Sequence, residues 1–586
     1  MINLKKWFVK NSKKDFREFA KKHDISPVIA KLLINRDIDD KDVESFLNPT
    51  FENSCHNPFL MKDMDKAVDM IIDSINNFEH IRIVGDYDQD GNSATMTLLD
   101  GLMLFTDNLS YAIPNRVDDG YGISKSMVDC AKEENVDLII TCDNGISAFE
   151  AIEYAKSLDM KIIVTDHHQT IKDEEKGEIL PKADAVVNPQ RSDCEYPFKS
   201  LCGAGVAFKV MQGLYEKLEG DKEYLMDLLE YVAMGTVCDV VDLLDENRFF
   251  VIEGLKRLNE TQNYGIKSLV KETGLKTEIN TYALGFIIGP TINASGRLSD
   301  ASKAIELFLE ENIDVIEEHA KELVSLNTER KKMTEDGYEK IVDSIYREEQ
   351  QDKNILVLKD ESIHESIAGI IAGRIKEKYN RPTLVFTKSK TEGVLKGSGR
   401  SIEGYDMYEK LAEVRELFVS FGGHPMAAGM SIKKENFDEL REELNRKDGL
   451  TKEDLIPRIY MDSSLYANKI DFNLIDDINK LEPYGKGNSR PIFGDKNLII
   501  EKIDVLGKNQ NVLKFNFNVR GRSIEGIMFN DIEDVLEKLK VKFGEDDLKK
   551  SFLGLPNDNT VDIVYYPNIN TFNGVSKLQL IIKDIR

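Results

Sequence analysis

Asp86-Tyr87-Asp88-Gln89-Asp90-Gly91 stands between a short apolar run, His80-Ile81-Arg82-Ile83-Val84-Gly85, and the stretch Asn92 to Phe105, where small and apolar residues alternate at helical spacing. That order reads as buried strand, tight turn and helix. Three carboxylates on such a turn repel one another unless a cation sits among them, and the C-terminal edge of the strands in an open α/β sheet is where ligands bind. Taken alone, the stretch is better explained as an acidic, solvated turn. An EF-hand loop fits poorly, since no Glu closes it at the twelfth position. A divalent-metal site becomes the stronger reading only because the pattern recurs downstream.

The recurrence is regular. Apolar strands are expected at Ile81 to Val84, Val136 to Thr141, Lys161 to Thr165 and Ala185 to Val187, with helical segments Ser124 to Lys132 and Ser147 to Leu158 between them. Strands alternating with helices at this spacing predict βαβ units and a parallel sheet. Polar residues follow the strands: Cys142-Asp143-Asn144-Gly145 after the second and Thr165-Asp166-His167-His168 after the third, while Asp239 closes the apolar, helix-like run Tyr231 to Cys238. Singly, Asp143-Asn144-Gly145 reads equally as an ordinary turn, and the histidines could be a surface pair. Asp239 in apolar surroundings must be paired or metal-bound to stay ionised. Several strand ends delivering only Asp and His to one sheet edge is what a two-metal site requires.

Length and composition bound the setting. A chain of 586 residues is expected to hold about three or four domains. Lysines 5, 6, 10, 13 and 14 interrupt the start, and no run of about eighteen apolar residues occurs, so a cytoplasmic location without signal peptide or membrane span is expected. The cysteines, at 55, 130, 142, 194, 202 and 238, have no paired metal-ligand spacing and read as reduced thiols. A net charge of -26 argues against nonspecific nucleic-acid binding without excluding it, because acidic helices coexist with a local basic groove. Residues 1–78 read as a helical lead-in.

The motifs Asp86 to Gly91, Asp143-Asn144-Gly145, Asp166-His167-His168 and Val237-Cys238-Asp239 resemble, in order and spacing, those of the DHH phosphoesterase superfamily, and within it the RecJ family of single-strand-specific exonucleases. Ile113-Pro114-Asn115-Arg116 with Gly120-Tyr121-Gly122, and Pro290 to Arg297, are similar to that family's substrate-side motifs. In Gly397-Ser398-Gly399-Arg400-Ser401 and Phe421-Gly422-Gly423-His424 glycines let backbone amides approach an anion, with Ser, Arg and His beside them as phosphate donors, though Gly-Gly-His alone is more often a structural turn. Together they resemble the DHH-associated (DHHA1) domain.

The implied architecture is α/β: a parallel-sheet DHH domain (79–300), a helical connector (301–350), an α/β DHHA1 domain that binds the substrate end (351–445) and a C-terminal OB-fold β-barrel (455–586) with a helical insertion near 531–559. In the barrel, Lys508, Lys514, Arg520 and Arg522 with Phe515, Phe517, Tyr565, Tyr566 and Phe572 offer cations and rings to a single strand, though alternating Phe residues are at least as often core.

The resemblance also implies roles. Asp88, Asp90, Asp143, His167 and Asp239 would ligate two divalent cations, with Asp143 as bridge. Asp86 and His168 would act beside them or ligate in their turn. Arg116, Asn293 and Arg297 would hold the scissile phosphate, and Ser398, Arg400, Gly422, Gly423 and His424 the strand end. Mixed Asp and His ligands favour Mn²⁺, with Mg²⁺ as substitute. Related branches carry a ligating His where this chain has Val84, and the family's usual Arg is replaced by Thr291. The substrate implied is single-stranded DNA, cut from the 5′ end in repair and recombination, with a single-strand-binding protein and a helicase as partners, no membrane and a monomeric enzyme. The rivals are a phosphodiesterase for short RNA or cyclic dinucleotides, against which the long C-terminal region argues, and an inactive DNA-binding scaffold, against which the retained ligands argue.

Overall fold

The computed structural model describes residues 5–12, 14–115, 120–173, 177–507, 509–529, 532–572 and 574–586. They fall into two compact units, one of residues 49–449 with 485–487, the other of residues 1–48, 450–484 and 488–586.

The first unit begins from a run of residues that can only be interior. In β1 (Ile81–Val84) all four side chains are buried, as the unbroken apolar run around Arg82 demands of a strand covered on both faces. Around it form β2 (Leu109–Ala112), β3 (Leu138–Cys142), β4 (Lys161–Thr165) and β5 (Ala185–Val187), a parallel five-stranded sheet in the order β2-β1-β3-β4-β5. The register pairs Val84 with Thr141 and Cys142 with Thr165, so β1, β3 and β4 end level and release Asp86, Asp143 and Asp166 at one edge. In this sheet only β2 escaped the sequence reading. It is a half-buried edge strand of Leu, Ser, Tyr and Ala, with neither an apolar run nor clean alternation.

Helices cover the sheet. From α1 (Gln89–Met103) almost every side chain is buried, as from α2 (Gly203–Leu218), and the two approach so closely at Gly101 that a Cβ there would lie 2.7 Å from Met211 Sδ. Next come α3 (Leu229–Cys238) and α4 (Asp245–Glu260). A fully buried ion pair ties α2 to α4: Lys209 Nζ donates to Glu246 Oε2 at 3.0 Å and to the His56 carbonyl at 2.6 Å.

Beyond a π-helical turn at Leu284–Ile288 lies α5 (Gly289–Leu298), packed along α6 (Ile313–Arg347). The connector expected at 301–350 is a short helix, Lys303–Leu309, followed by this single helix of 35 residues, about 50 Å long. A second five-stranded sheet follows, from β6 (Leu356–Lys359), β7 (Thr383–Lys388), β8 (Val394–Arg400), β9 (Phe418–His424) and β10 (Ala427–Lys433), in the order β9-β10-β8-β7-β6. The crossover helix α7 (Glu365–Tyr379) joins its parallel pair, β6 and β7. The glycine motifs at 397–401 and 421–424 are therefore not turns. They lie mainly in β8 and β9: Gly397 and Gly399 are buried, a Cβ at Gly397 falling 2.5 Å from the Phe386 ring, while Gly422 leaves the sheet face open.

In the other unit, β11 (Phe493–Leu506), β12 (Val512–Val519), β13 (Arg522–Met528), β14 (Thr560–Phe572) and β15 (Val575–Ile585) close a barrel in the order β11-β12-β13-β15-β14, with β14 returning to β11. Helices Ile532–Phe543 and Glu545–Leu553 separate β13 from β14. Phe515, Phe517 and Tyr565 are fully buried core, so they offer no rings to a ligand. Lys514 pairs with Glu525, Arg520 with Asp495, and Arg522 donates to the carbonyls of Asn468 and Ile470. Tyr566 remains beside cations, with Arg490 and Lys583 at 5.1 and 5.3 Å from its ring centre. Lys508 and the side chain of Phe572 lie outside the described residues. The first residues are not wholly helical: Lys6–Val9 is a strand running parallel to Arg458–Met461, and 1–48 cluster with this unit.

Removing one partner of the buried pair leaves the other charge uncompensated, so Lys209→Met is expected to destabilise the protein by about 3–5 kcal/mol in urea unfolding followed by circular dichroism. Adding Glu246→Gln to that variant should recover part of the loss.

Candidate metal centre

Each carboxylate at the sheet edge is fixed by a local rule. Asp88 caps α1, accepting the amides of Asp90 and Gly91 at 2.9 and 3.2 Å. Asp90, in the first turn of that helix, accepts the amides of Gly203 and Ala204 at 2.6 and 3.0 Å, so it sits against the positive end of α2. Asp143 leaves β3 with φ of 61°, a left-handed conformation that Asp tolerates better than most residues. Asn144 behind it donates to the carbonyls of Val84 and Cys142, locking the ends of β1 and β3 together. Asp239 directly follows the last residue of α3.

Close packing excludes larger residues. A Cβ at Gly203 would fall 2.4 Å from Asp143 Cβ, and one at Gly235 would fall 2.5 Å from Asp90 Oδ1.

The histidines divide. Asp166 is wholly buried and accepts from the amides of Ile146, His167 and His168 and from His168 Nδ1, at 2.9, 2.7, 3.1 and 2.8 Å. Burial alone would raise its pKa. The His168 hydrogen bond and the positive charge of that ring, with the backbone amides, outweigh that and hold it below the ordinary value. His168 shows the counterpart: burial lowers it, but Asp166 and the surrounding carboxylates raise it to about 9, so it carries a proton at neutral pH. For His167, burial dominates and keeps the ring neutral, the form that binds metal.

His167 Nε2 stands 3.0 Å from Asp143 Oδ1 and 3.8 Å from both Asp90 Oδ2 and Asp239 Oδ2. Both His167 Nε2 and Asp143 Oδ1 are buried, and neither makes a hydrogen bond. Three overlapping sets bring ligand atoms within 4.8 Å of one another: Asp86, Asp88 and Asp143; Asp143, His167 and His168; Asp90, His167 and Asp239. Without a cation, three of these carboxyls hold their protons above the usual range. Asp88 is raised by burial and by Asp90, Asp143 well above the usual range by burial and its neighbours, and Asp239 to about 8 by burial, Asp90 and Asp88. Oxygen donors with one neutral imidazole, two of the atoms orphaned, fit divalent cations such as Mn²⁺.

The remaining candidates separate into two places. Asn293 Oδ1 accepts the Gln89 amide at 2.7 Å, so its carbonyl pins the acidic turn to α5. Gly296 lets the helix approach, since a Cβ there would meet the Tyr87 carbonyl at 2.5 Å. Arg297 reaches across to the carbonyl of Ser366 on α7. Arg116 lies outside the described residues. On the second sheet, the register aligns Ser398, Gly429 and Gly422 in one row and Arg400, Ala427 and His424 in another, giving a shallow glycine floor with donors along it. Arg400 is part-buried, hydrogen-bonded to Ser398 Oγ and the Gly399 carbonyl, and burial lowers its pKa with no acid opposing.

Sequence reasoning gave no role to Asp166, although a carboxylate at a buried strand end followed by two histidines marked it. It also passed over Gly203-Ala204, whose only signal is a small-residue start to an apolar helix. Tyr121, quoted only within a motif, donates to the Asp143 carbonyl at 2.7 Å and lies 3.3 Å from His168 Nε2.

A carboxylate and imidazole cluster on a parallel sheet, followed by a glycine-floored second sheet and a barrel, defines a DHH phosphoesterase. The DHH family, N-terminal domain, matches residues 80–236, the DHHA1 domain 352–447 and the RecJ OB domain 461–584. The single-stranded-DNA-specific exonuclease RecJ of Bacillus subtilis is 34% identical over 96% of this chain and 68% of its own length; that of Salmonella typhimurium is 32% identical over 90% of each. A crystal structure of RecJ from Thermus thermophilus in complex with Mn²⁺ superimposes with a TM-score of 0.81 at 26% identity, covering 99% of this chain and 79% of that one. The chain belongs to the RecJ family.

Two outcomes follow, one from the electrostatics and one from the packing. Asp239 and His168 both have raised folded pKa values, so the stability they contribute is complete below their unfolded values and is lost as pH rises towards about 8 and about 9. In thermal melts from pH 5 to 8.5, the metal-free protein should lose stability relative to the Mn²⁺-loaded protein, the gap in Tm widening with pH. Gly203→Ala should displace Asp143 and weaken Mn²⁺ binding by calorimetry at least about tenfold, a change of about 1.4 kcal/mol.

Proposed function

We propose that the chain is a metal-dependent exonuclease specific for single-stranded DNA, releasing nucleotides from the 5′ end in DNA repair and recombination. The observation that carries the reading is the orphaned, buried pair His167 Nε2 and Asp143 Oδ1 at 3.0 Å, ringed by Asp86, Asp88, Asp90 and Asp239. Asp88, Asp90, Asp143, His167 and Asp239 would hold two divalent cations, Mn²⁺ before Mg²⁺, with Asp143 as the ligand common to both. Asp86 completes the set with Asp88 and Asp143, where the Val84 side chain offers no donor. When bound, the cations lower the pKa of the attacking water and offset charge on the phosphoryl oxygens.

The chain's own groups supply the rest. Asp166 fixes both histidines, leaving His167 neutral for ligation and His168 protonated, with its ring half-exposed towards the substrate side. That imidazolium stabilises negative charge on the phosphate and serves as a proton donor to the leaving oxygen. Asn293 holds the acidic turn in place through Gln89. Arg116 and Arg297 steer the scissile phosphate, and Ser398, Arg400 and His424 over Gly422 and Gly423 receive the strand's end, which sets the point from which nucleotides are counted. No helix among the described residues is long and apolar enough to cross a membrane. The enzyme works in the cytoplasm as a monomer, alongside a single-strand-binding protein and a helicase.

Purified protein with Mn²⁺ should release mononucleotides from a single-stranded DNA labelled at the 5′ end, and matched RNA, duplex and dinucleotide should be poor substrates. Activity should vanish in EDTA and in Asp143→Ala. Release from the 3′ label first would reverse the polarity, and strand binding without hydrolysis of any substrate would make the protein a scaffold.

A further inference from the structure

One guanidinium in the first unit has the wrong company for a structural ion pair. Arg330 lies on α6, three residues after the buried Asn327 and seven before Gly337. At Asn327 the helix touches α5, where Asn327 Nδ2 donates to Thr291 Oγ1 at 2.9 Å. By Gly337 it has moved against α7 and the segment before it, since a Cβ there would lie 2.7 Å from Ile371 Cδ1 and 3.4 Å from Ile363 Cγ1. Arg330 therefore sits about 4.5 Å along the axis beyond the first contact and about 10 Å before the second. The same two helices, α5 and α7, are bridged by Arg297 reaching the Ser366 carbonyl.

The hydrogen bonding is lopsided. Nε and Nη2 of Arg330 both donate to one atom, Asn327 Oδ1, at 3.1 and 2.9 Å. Among the described residues Nη1 has no acceptor, although a guanidinium carries five donors in a fixed fork. Among the described residues no carboxylate pairs with it, and burial lowers its pKa. In a chain of net charge -26 that is unusual company. Arg257 is shared by Glu223, Asp227 and Glu253, and Arg191 by Asp63 and Asp193. A brace between α5 and α6 would need only a neutral amide at this position. A part-desolvated cation held by a neutral amide, with one edge of its fork open, is a preorganised receptor for an oxyanion.

We propose that Arg330, oriented by Asn327 and Thr291, binds a backbone phosphate of the single-stranded substrate at the junction of α5, α6 and α7. The ligand class rests on the exonuclease reading above. Thr291 and Asn327 act as positioning residues: Thr291 Oγ1 donates to the Ile287 carbonyl at 2.7 Å, which leaves its lone pair to Asn327 and turns the Asn327 carbonyl towards Arg330.

The test is fluorescence anisotropy with a labelled oligothymidylate, all proteins carrying Asp143→Ala to prevent hydrolysis, across a salt series. Arg330→Gln should weaken binding about tenfold at low salt. It should also lower the slope of log affinity against log salt by about 0.7, the value of one phosphate contact in single strands. Arg330→Lys should restore the slope. Asn327→Ala should weaken binding with the slope kept, because the charge is retained but not aimed. An unchanged slope in Arg330→Gln, with or without a fall in Tm, would overturn the site and leave the residue as a brace. If the Asp143→Ala parent binds no strand at all, the exonuclease reading and this site fall together.

Discussion

Mutual repulsion of buried carboxylates is the constraint on which the catalytic half of the molecule depends. Asp86, Asp90 and Asp143 are buried and Asp88 and Asp239 partly so where they converge, and such mutual repulsion is relieved by keeping protons or by holding cations. The surrounding fold serves to keep that unfavourable group in place. Backbone amides at the starts of α1 and α2 point at Asp88 and Asp90, and Asn144 ties two strand ends that would otherwise splay. Glycines at 203 and 235 let helices press against acidic side chains at distances no other residue permits. Stability elsewhere, such as the Lys209 and Glu246 pair between α2 and α4, holds the helices that do this pressing.

Two adjacent histidines with opposite charge states show how finely a single carboxylate divides labour. Asp166 accepts four hydrogen bonds and touches both residues, yet only His168 receives its charge directly through a ring nitrogen. The ring of His167 turns instead into the cluster, where burial strips its proton. One ring is thereby left neutral and the other protonated. Two side chains with one intrinsic pKa acquire different chemistry from a difference of one position in a chain leaving a strand.

Much of this was legible in the sequence because the relevant signals are local. Strands at Ile81–Val84, Lys161–Thr165 and Ala185–Val187 are apolar runs, and the acidic residues of the site follow the first two closely, so fold and site announce each other. Signals that depend on partners distant in sequence were not legible. Asp90 finds its amides more than a hundred residues away, at Gly203 and Ala204, and nothing in either stretch names the other. Glycine was the least transparent residue. In 422–423 it suggested a turn, yet the chain there is extended and pairs across β9 and β10, and at Gly422 the missing side chain leaves the sheet face open. The alternating Phe515 and Phe517, readable as a binding face or as core, are core, because inward alternation is how a barrel fills its interior.

The long helix α6 connects these observations. Its polar interruptions, Asn327 and Thr334, lie on the buried stripe and not on the outer face, so the sequence shows a broken apolar pattern where the structure shows a continuous contact surface. Side-chain and backbone hydrogen bonds satisfy them: Asn327 with Thr291 and Arg330, Thr334 with the Arg330 carbonyl. An apolar stripe would have bound α5 and α7 at less cost in desolvation, since buried polar groups stabilise only when fully paired. What the polar residues add is orientation. They fix the rotation of α6 against α5, the helix whose Asn293 pins the acidic turn and whose Arg297 reaches the second sheet's crossover helix. The geometry that places carboxylates at one sheet edge and donors on the other sheet is thus carried through three helices by hydrogen bonds, which specify a register where apolar packing alone would specify only proximity.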